Sequence, residues 1–281
     1  MSADLTPGLY FETSGEQNPK TIVFLHGGGA AGWMWKNQVK AFKPDYHVIV
    51  PDLPEQGKSQ GVGEYSTERA AELVAELIRT KAHNGISHVV GLSEGAQVTV
   101  ALLARAHHVI DHAVVSSAIL RPMMGSSLYT RPLLAASHRW FIEPFKNNDW
   151  WIRLNMKYSA GIPDEYYADF KLSFQEATEK STANMMYSGL HFRLPAGLEK
   201  ADVPVLVAVG KHEYKQMQES GKDLLRVLPR GQGVMVSIEP QSSLRKEHNW
   251  AMTAPELFNA TVRAWIEDRP RPAQILPFDT L

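Results

Sequence analysis

The stretch Gly91-Leu92-Ser93-Glu94-Gly95 decides how this chain folds. It follows an apolar run at residues 88–90, which predicts a buried strand, and it precedes an amphipathic run at residues 96–103, which predicts a helix. Ser93 must therefore make a sharp turn between the two, and the glycines on either side leave room for the neighbouring strand and helix. The stretch predicts a serine hydroxyl at the tip of a strained turn, above a helix N-terminus that favours developing negative charge.

Length and composition are those of a globular α/β protein. The 281 residues, 44% of them hydrophobic, suffice for one large domain or for one domain with an insertion. The net charge of -1 argues against nucleic acid or an anionic membrane as the main partner, because both require a concentrated basic face. The absence of cysteine excludes disulfides, thiolate metal sites and a cysteine nucleophile.

The sequence has no targeting or membrane feature. No apolar stretch approaches the ~20 residues that a membrane-spanning helix needs. The first residues, Met1-Ser2-Ala3-Asp4-Leu5, have neither the basic region nor the apolar run of a secretion signal. We therefore expect a cytoplasmic protein that does not span a membrane, while the oligomeric state stays open.

Two kinds of pattern divide the chain. Up to residue 120, short apolar runs alternate with helical patterns, which is typical of a mostly parallel sheet with helices on both faces. Residues 121–198 instead show helical patterns rich in aromatic residues and methionine. The strand rhythm then resumes, and residues 269–272, Arg-Pro-Arg-Pro, predict an extended tail that ends the compact fold. We predict a core of residues 1–120 and 199–281 with a helical cap, residues 121–198, inserted into it.

Four segments in order carry a resemblance to the α/β-hydrolase superfamily. They are Leu25-His26-Gly27-Gly28-Gly29, the stretch from Asp52 to Ser59, the turn around Ser93, and His248-Asn249-Trp250 before the final helix. With these segments the chain resembles the capped, cofactor-independent branch of esterases and related lyases. It departs where that family usually has glycine-histidine, here Glu55-Gln56, and where glycine usually precedes the histidine, here Glu247. We expect the first departure to leave a surface turn in place.

The resemblance implies a proton-relay triad. A serine hydroxyl attacks only when a base removes its proton and an acid orients that base. Ser93 is the candidate nucleophile, and His248, between the last predicted strand and the final helix, is the candidate base. Glu213, three residues after the strand-ending Gly210, is the candidate acid, with Glu239 in reserve.

Two backbone N–H groups are expected to bind the oxyanion of the reaction intermediate. The helix start supplies that of Glu94, and by the resemblance the glycine loop supplies that of Gly28. The loop matches neither nucleotide-binding glycine spacing, so we expect no nucleotide and no other cofactor. The resemblance gives His26 a structural hydrogen-bonding role. His107, His108 and His112, near Asp111, are interpreted as surface groups, and no metal is required.

The residues of the cap and of the loops beside it predict an apolar pocket. Methionines adapt to ligand shape, so Met123, Met124, Met185 and Met186 indicate an apolar substrate portion. Further candidate pocket residues lie beside the glycine loop of Gly28 and beside His248. The predicted pocket residues are Trp33, Met34, Met123, Met185 and Trp250.

The prediction is a serine carboxylesterase for small-to-medium apolar esters, working through an acyl-enzyme. The same residues could serve hydrolysis of C–C, amide, aminopeptide or lactone bonds, or lyase chemistry, and the motifs alone leave these alternatives open. Serine at the turn argues against epoxide hydrolase and haloalkane dehalogenase action, which use aspartate there. A ligand-binding receptor with a disabled site is the alternative outside enzymology.

Overall fold

The computed structural model describes residues 8–123, 125–239 and 241–278. Met124 and both ends of the predicted core, residues 1–7 and 279–281, lie outside the described residues. Within them, one sheet has the strand order β1-β3-β2-β4-β5-β6-β7-β8. The strands are β1 Phe11–Ser14, β2 Thr21–Leu25, β3 His47–Pro51, β4 Ser87–Leu92, β5 Ile110–Ser116, β6 Val205–Gly210, β7 Gly231–Val236 and β8 Ile275–Pro277. The six inner strands are parallel, while β1 and β8 pair antiparallel at the two edges.

Helices cover both faces of this sheet. They are α1 Lys36–Phe42, α2 Thr67–Lys81, α3 Glu94–Ala106, α4 Arg131–Phe141, α5 Asp149–Leu154, α6 Tyr167–Glu176, α7 Glu179–His191, α8 Lys215–Val227, α9 Leu244–His248, α10 Trp250–Thr253 and α11 Pro255–Ile266. Strands β2, β3, β4 and β6 are buried at every residue, and their largely apolar residues do not alternate with polar ones because both faces of the sheet are covered there. One core layer packs against α2, α3 and α8, and the other packs against α1 and α11. None of these helices combines the length and apolarity needed to cross a bilayer. This architecture is the predicted α/β-hydrolase fold.

Helix α2 illustrates how the sequence specifies these elements. The Ser66 side chain accepts a hydrogen bond from the Arg69 N–H at 3.1 Å and so caps the first turn. Ala70, Val74 and Ile78 recur every fourth residue and are fully buried. The helical period therefore turns one apolar face toward the sheet.

The chain between β5 and β6 is helical. Its described residues hold α4 to α7, with α4 packed on α7, and contain no strand. Ile152, Met156 and Phe170 form a small core of their own. The Thr67 backbone N–H, at the start of α2, donates a hydrogen bond to Ser188 Oγ of α7 at 2.9 Å and joins this segment to the rest of the molecule.

The C-terminal tail corrects one prediction. The prolines at residues 270 and 272 were expected to end the compact fold, but the chain returns as β8, with Ile275 opposite Val236. Ile275 and Phe278 are buried. The prediction was wrong because an edge strand tolerates proline around it, whereas the apolar residues beyond still find a hydrophobic surface.

Candidate active site

The turn at Ser93 has the strained backbone that the sequence predicts. Ser93 has φ 56° and ψ −111°, and it connects β4 directly to α3. A Cβ on Gly91 would overlap the Gly95 carbonyl, and a Cβ on Gly95 would overlap the Leu25 carbonyl. The Ser93 N–H donates to the Ser116 carbonyl at 2.8 Å. Close packing of strand and helix therefore requires both glycines, and it holds the serine in a backbone region that costs free energy.

Three functional side chains follow neighbouring strands. Because β4, β5 and β6 are parallel and adjacent, Ser93, Ser117 and Glu213 all follow their carboxyl ends. Ser117 Oγ donates a hydrogen bond to Glu213 Oε2 at 3.0 Å, and the Gly210 N–H donates to the same atom at 2.8 Å. Ser93 and Glu213 thus lie on either side of the residues that end β5.

His248 completes this group. Its Nδ1 lies 2.6 Å from Glu213 Oε1, with the Glu213 side chain fully buried and that of His248 19% exposed. The carboxylate is the acceptor, so Nδ1 carries the proton and Nε2 is free to accept one. The structure records no hydrogen bond between Ser93 Oγ and His248 Nε2 among the residues it describes. Glu239, the reserve acid, instead pairs with Lys246 at the surface.

His248 is the last residue of the short helix α9, which lies between the last inner strand and the final helix. Glu247, which stands where the resembled family usually has glycine, is fully buried. It accepts a hydrogen bond from the His212 N–H at 2.6 Å and from His212 Nδ1 at 2.9 Å. The glutamate therefore anchors α9 to the loop that carries Glu213, which fixes the spacing between acid and histidine.

The two expected oxyanion donors face a common cavity. Gly28 and Glu94 line it together with Ser93, and the structure records no hydrogen-bond partner for either backbone N–H within its described ranges. His26 shapes the loop before Gly28, because its Nε2 accepts from the Leu53 N–H at 2.9 Å and its Nδ1 donates to the Gly27 carbonyl at 2.8 Å. Burial lowers the pKa of His26, so the ring is a neutral structural group.

Comparison with known proteins decides the family. A model described as the alpha/beta hydrolase family matches residues 22–261. This chain is a member of the alpha/beta hydrolase family.

Individual relatives of this chain are distant. An AB hydrolase superfamily protein of Gibberella zeae is 27% identical over 117 residues, which are 41% of this chain and 42% of that protein. A pimeloyl-(acyl-carrier protein) methyl ester esterase of Methylococcus capsulatus is 36% identical over 91 residues, 32% of this chain and 33% of the esterase. The chain thus spans less than half the length of these two relatives. A solved esterase from Thermogutta terrifontis is similar with TM-score 0.71 and 22% identity, covering 92% of this chain and 93% of that one, which shows a shared fold.

The cavity beside Ser93 has a volume of about 260 Å³ and mostly apolar walls. Of the predicted pocket residues, only Met185 lines it, with Sδ 3.2 Å from where a Cβ on Gly28 would be. Half of the lining residues were not predicted from the sequence, although the position of Gln97, one turn after Glu94 on α3, follows from helical spacing. The lining residues are Gly28, Ser93, Glu94, Gln97, Ser117, Ile119, Met185, Met186, Gly189 and Leu190.

The other pocket candidates lie elsewhere, and these expectations are corrected. Met34 and Trp250 are core residues: the Gly27 N–H points at Met34 Sδ, and Trp250 Nε1 donates to Ser116 Oγ at 2.9 Å. Trp33 donates from Nε1 to Ser173 Oγ at 2.9 Å and so joins the loop after β2 to the helical segment. Met123 is half-buried outside the cavity wall. Large apolar side chains beside a sheet more readily fill core volume than line a ligand site.

The departure at Glu55-Gln56 is not the surface turn that was expected, because both residues are buried. Glu55, with φ 60°, accepts hydrogen bonds from the Tyr65 N–H at 2.8 Å and from Asn184 Nδ2 of α7 at 3.0 Å. Gln56 accepts from the Gly29 N–H at 2.8 Å and donates to Glu94 Oε2 at 3.0 Å. The turn therefore ties the oxyanion loop, α3 and the helical segment together.

The Glu94 side chain is a second carboxyl beside Ser93. Gln56 is its one hydrogen-bond donor, and Oε1 has no hydrogen-bond partner in the described parts of the chain. Burial raises the pKa of Glu94 to about 7, against the hydrogen bond from Gln56 and the nearby hydroxyl of Tyr65, which both lower it. The carboxyl therefore changes charge near neutral pH.

A possible cation-binding group lies away from this site. The interpretation of His112 as a surface group is only partly right, since its ring centroid is 5.3 Å from that of the buried His88, near Asp111. Ligand atoms of these three residues lie within 4.8 Å of one another, next to a register shift between β4 and β5. Burial lowers the pKa of His88 to about 4, which leaves a neutral imidazole. The group lies toward the amino ends of the strands, opposite Ser93.

Proposed function

We propose that this protein is a serine hydrolase that cleaves carboxylic esters of small-to-medium apolar acids. The observation that carries the proposal is the hydrogen bond of 2.6 Å between His248 Nδ1 and the buried Glu213 carboxylate. Glu213 follows β6, the strand next but one to β4, which ends at the strained turn of Ser93. A serine needs a base that is held in one tautomer, and a carboxylate on Nδ1 supplies that orientation. The name of the Methylococcus capsulatus relative, an ester esterase, supports the choice of bond.

The proposed reaction begins with attack by Ser93 Oγ on the ester carbonyl carbon. His248 Nε2 takes the hydroxyl proton, and Glu213 stabilises the resulting imidazolium. The N–H groups of Gly28 and Glu94 bind the oxyanion. The intermediate collapses, the alcohol leaves with the proton from His248, and an acyl-enzyme remains. Water then attacks in the same way and releases the acid. The mechanism requires Ser93 Oγ and His248 Nε2 to come within hydrogen-bond reach when substrate is bound, and such contacts often tighten only then.

The cavity supports an apolar substrate of limited size. At roughly 30 Å³ per water molecule, 260 Å³ holds about nine waters. Ile119 and three residues of α7, Met185, Met186 and Leu190, provide apolar walls. Because α7 contributes these walls, we assign residues 121–198 as a cap over the site and the remainder as the hydrolase core.

Active-site labelling tests the proposal. A fluorophosphonate should form one adduct, on Ser93 by peptide mapping, and Ser93→Ala should form none. A series of p-nitrophenyl esters should show fastest turnover with short or medium acyl chains, and matched amides and lactones should be slower. Absence of an adduct in folded protein would overturn the serine-hydrolase proposal. Turnover of only amides or lactones would overturn the esterase assignment and leave the nucleophile in place.

A further inference from the structure

Glu94 approaches both donors of the proposed oxyanion site. Its own N–H is one donor, and its side chain turns over the other donor, Gly28. Glu94 Oε2 lies 3.0 Å from the position that a Cβ on Gly28 would take. The carboxyl is therefore next to the place where a bound ester carbonyl would gain negative charge.

The groups around the Glu94 carboxyl are mostly neutral. Gln56 reaches it from the loop after β3, while Gly28 from the loop after β2 and Met185 from α7 share its cavity. Tyr65, just before α2, is the titratable neighbour: its buried hydroxyl lies close to the Glu94 carboxyl and favours the ionised form, although the two groups fall short of good hydrogen-bond geometry. The N-terminus of α3 favours a negative charge here, and burial disfavours it.

We propose that Glu94 controls the oxyanion site through its proton: the neutral carboxyl permits attack by Ser93, and the carboxylate opposes it. This inference rests on the proposed function, because it needs Ser93 as the nucleophile. The neutral carboxyl adds no charge beside the developing oxyanion. The carboxylate places a like charge beside it, in a buried cavity where screening by solvent is weak, and repulsion there slows attack about tenfold or more.

Gln56 offers a second way to change the charge of Glu94. Its amide donates to Glu94 Oε2, which favours the ionised form, and it stands where the resembled family usually has histidine. Loss of that donor makes the carboxylate harder to form. Replacement of Gln56 should therefore keep Glu94 neutral to higher pH, whereas replacement of Glu94 by its amide should remove the charge change altogether.

The experiment measures the rate constant of Ser93 phosphonylation by a fluorophosphonate from pH 5.5 to 9. In the unchanged enzyme, we expect the rate to rise as the base loses its proton and then to fall about tenfold or more as pH increases beyond about 7. Glu94→Gln should rise to a plateau without the fall. Gln56→Met should show the same fall in rate, shifted to higher pH. Hydrolysis of p-nitrophenyl butyrate should show the same three profiles after subtraction of spontaneous hydrolysis.

The outcomes separate this inference from the proposed function. A rate that stays high to pH 9 in the unchanged enzyme, or an equal fall in Glu94→Gln, would overturn the role of Glu94 and leave Ser93 as the nucleophile. Absence of labelling in all variants at every pH would overturn the proposed function, and this inference with it. If Glu94→Gln does not fold, the pH at which the rate of Gln56→Met falls decides the question. A fall at higher pH than in the unchanged enzyme supports the role of Glu94, and a fall at the same pH overturns it.

Discussion

Two buried carboxyl groups flank the nucleophilic turn, and their surroundings differ. Glu213 accepts hydrogen bonds from Ser117, from the Gly210 N–H and from His248. Glu94 accepts one, from Gln56. Both side chains are buried, so the two carboxyl groups differ in the number of hydrogen-bond donors that reach them and not in their exposure to solvent.

The two sides of the reaction make opposite demands on these carboxyls. The histidine side needs an anion to balance the imidazolium that forms during attack. The oxyanion side gains negative charge and is best served by a neutral neighbour. The same residue type can serve both sides because the hydrogen-bond donors around the two carboxyl groups differ.

Removal of the charge at Glu213 should have the largest effect. In Glu213→Gln the amide can no longer hold His248 in the required tautomer, so we expect kcat/KM for p-nitrophenyl butyrate to fall by about 10³- to 10⁴-fold. Steady-state kinetics at the pH optimum measures this loss.

Glu247→Gln is the matched control, since Glu247 is also buried and also pairs with a histidine, His212. It anchors α9 and lies outside the relay, so its replacement should lower kcat/KM far less than Glu213→Gln while still reducing thermal stability. Equal losses of activity in the two variants would mean that Glu213 acts structurally.

Replacement of Glu94 should change stability with pH. Its pKa is raised from 4.5 to about 7, so between these values the folded protein keeps a proton that the unfolded chain releases. Stability is lost as pH rises through this window and stays lost above it. Glu94→Gln lacks this loss, so its free energy of unfolding relative to the unchanged protein should increase by on the order of 3 kcal/mol from pH 5 to pH 8.

Urea unfolding at pH 5, 6, 7 and 8 measures this difference. The comparison between variants cancels the other titrating groups, which both proteins share. A difference that does not vary with pH would show that the Glu94 carboxyl ionises in the folded protein as it does in the unfolded chain.

Removal of one donor from Glu213 should have the smallest effect. Ser117→Ala deletes one hydrogen bond to the carboxylate and leaves the bonds from Gly210 and His248, so we expect kcat/KM to fall by about tenfold. A loss as large as that of Glu213→Gln would make Ser117 indispensable, and no loss would show that two donors suffice.

The sequence predicts the parts of this molecule that depend on local pattern. The strand-turn-helix at Ser93 follows from apolar periodicity and from the glycines on either side. In the structure, a Cβ on either glycine would overlap neighbouring backbone. The parallel core follows from strands that are apolar on both faces. Glu213 was found only through the resemblance, because its hydrogen bond to His248 joins residues 35 positions apart.

Other features depend on contacts that no local pattern records. Met34 and Trp250 are next to the candidate site loops in sequence and were predicted to line the pocket, but both side chains are buried in the hydrophobic core. Glu55 and Gln56 look like an exposed polar turn, but Asn184 and Glu94, distant in sequence, provide their partners. Edge strand β8 escaped notice because prolines precede it.

The most direct test of the central claim is the turnover of Ser93→Ala on its best p-nitrophenyl ester, with circular dichroism and thermal unfolding to show that the variant is folded. The account predicts that kcat falls by about 10⁴-fold or more, since only binding and the oxyanion donors remain. Ester hydrolysis at a near-normal rate by the folded variant would contradict it.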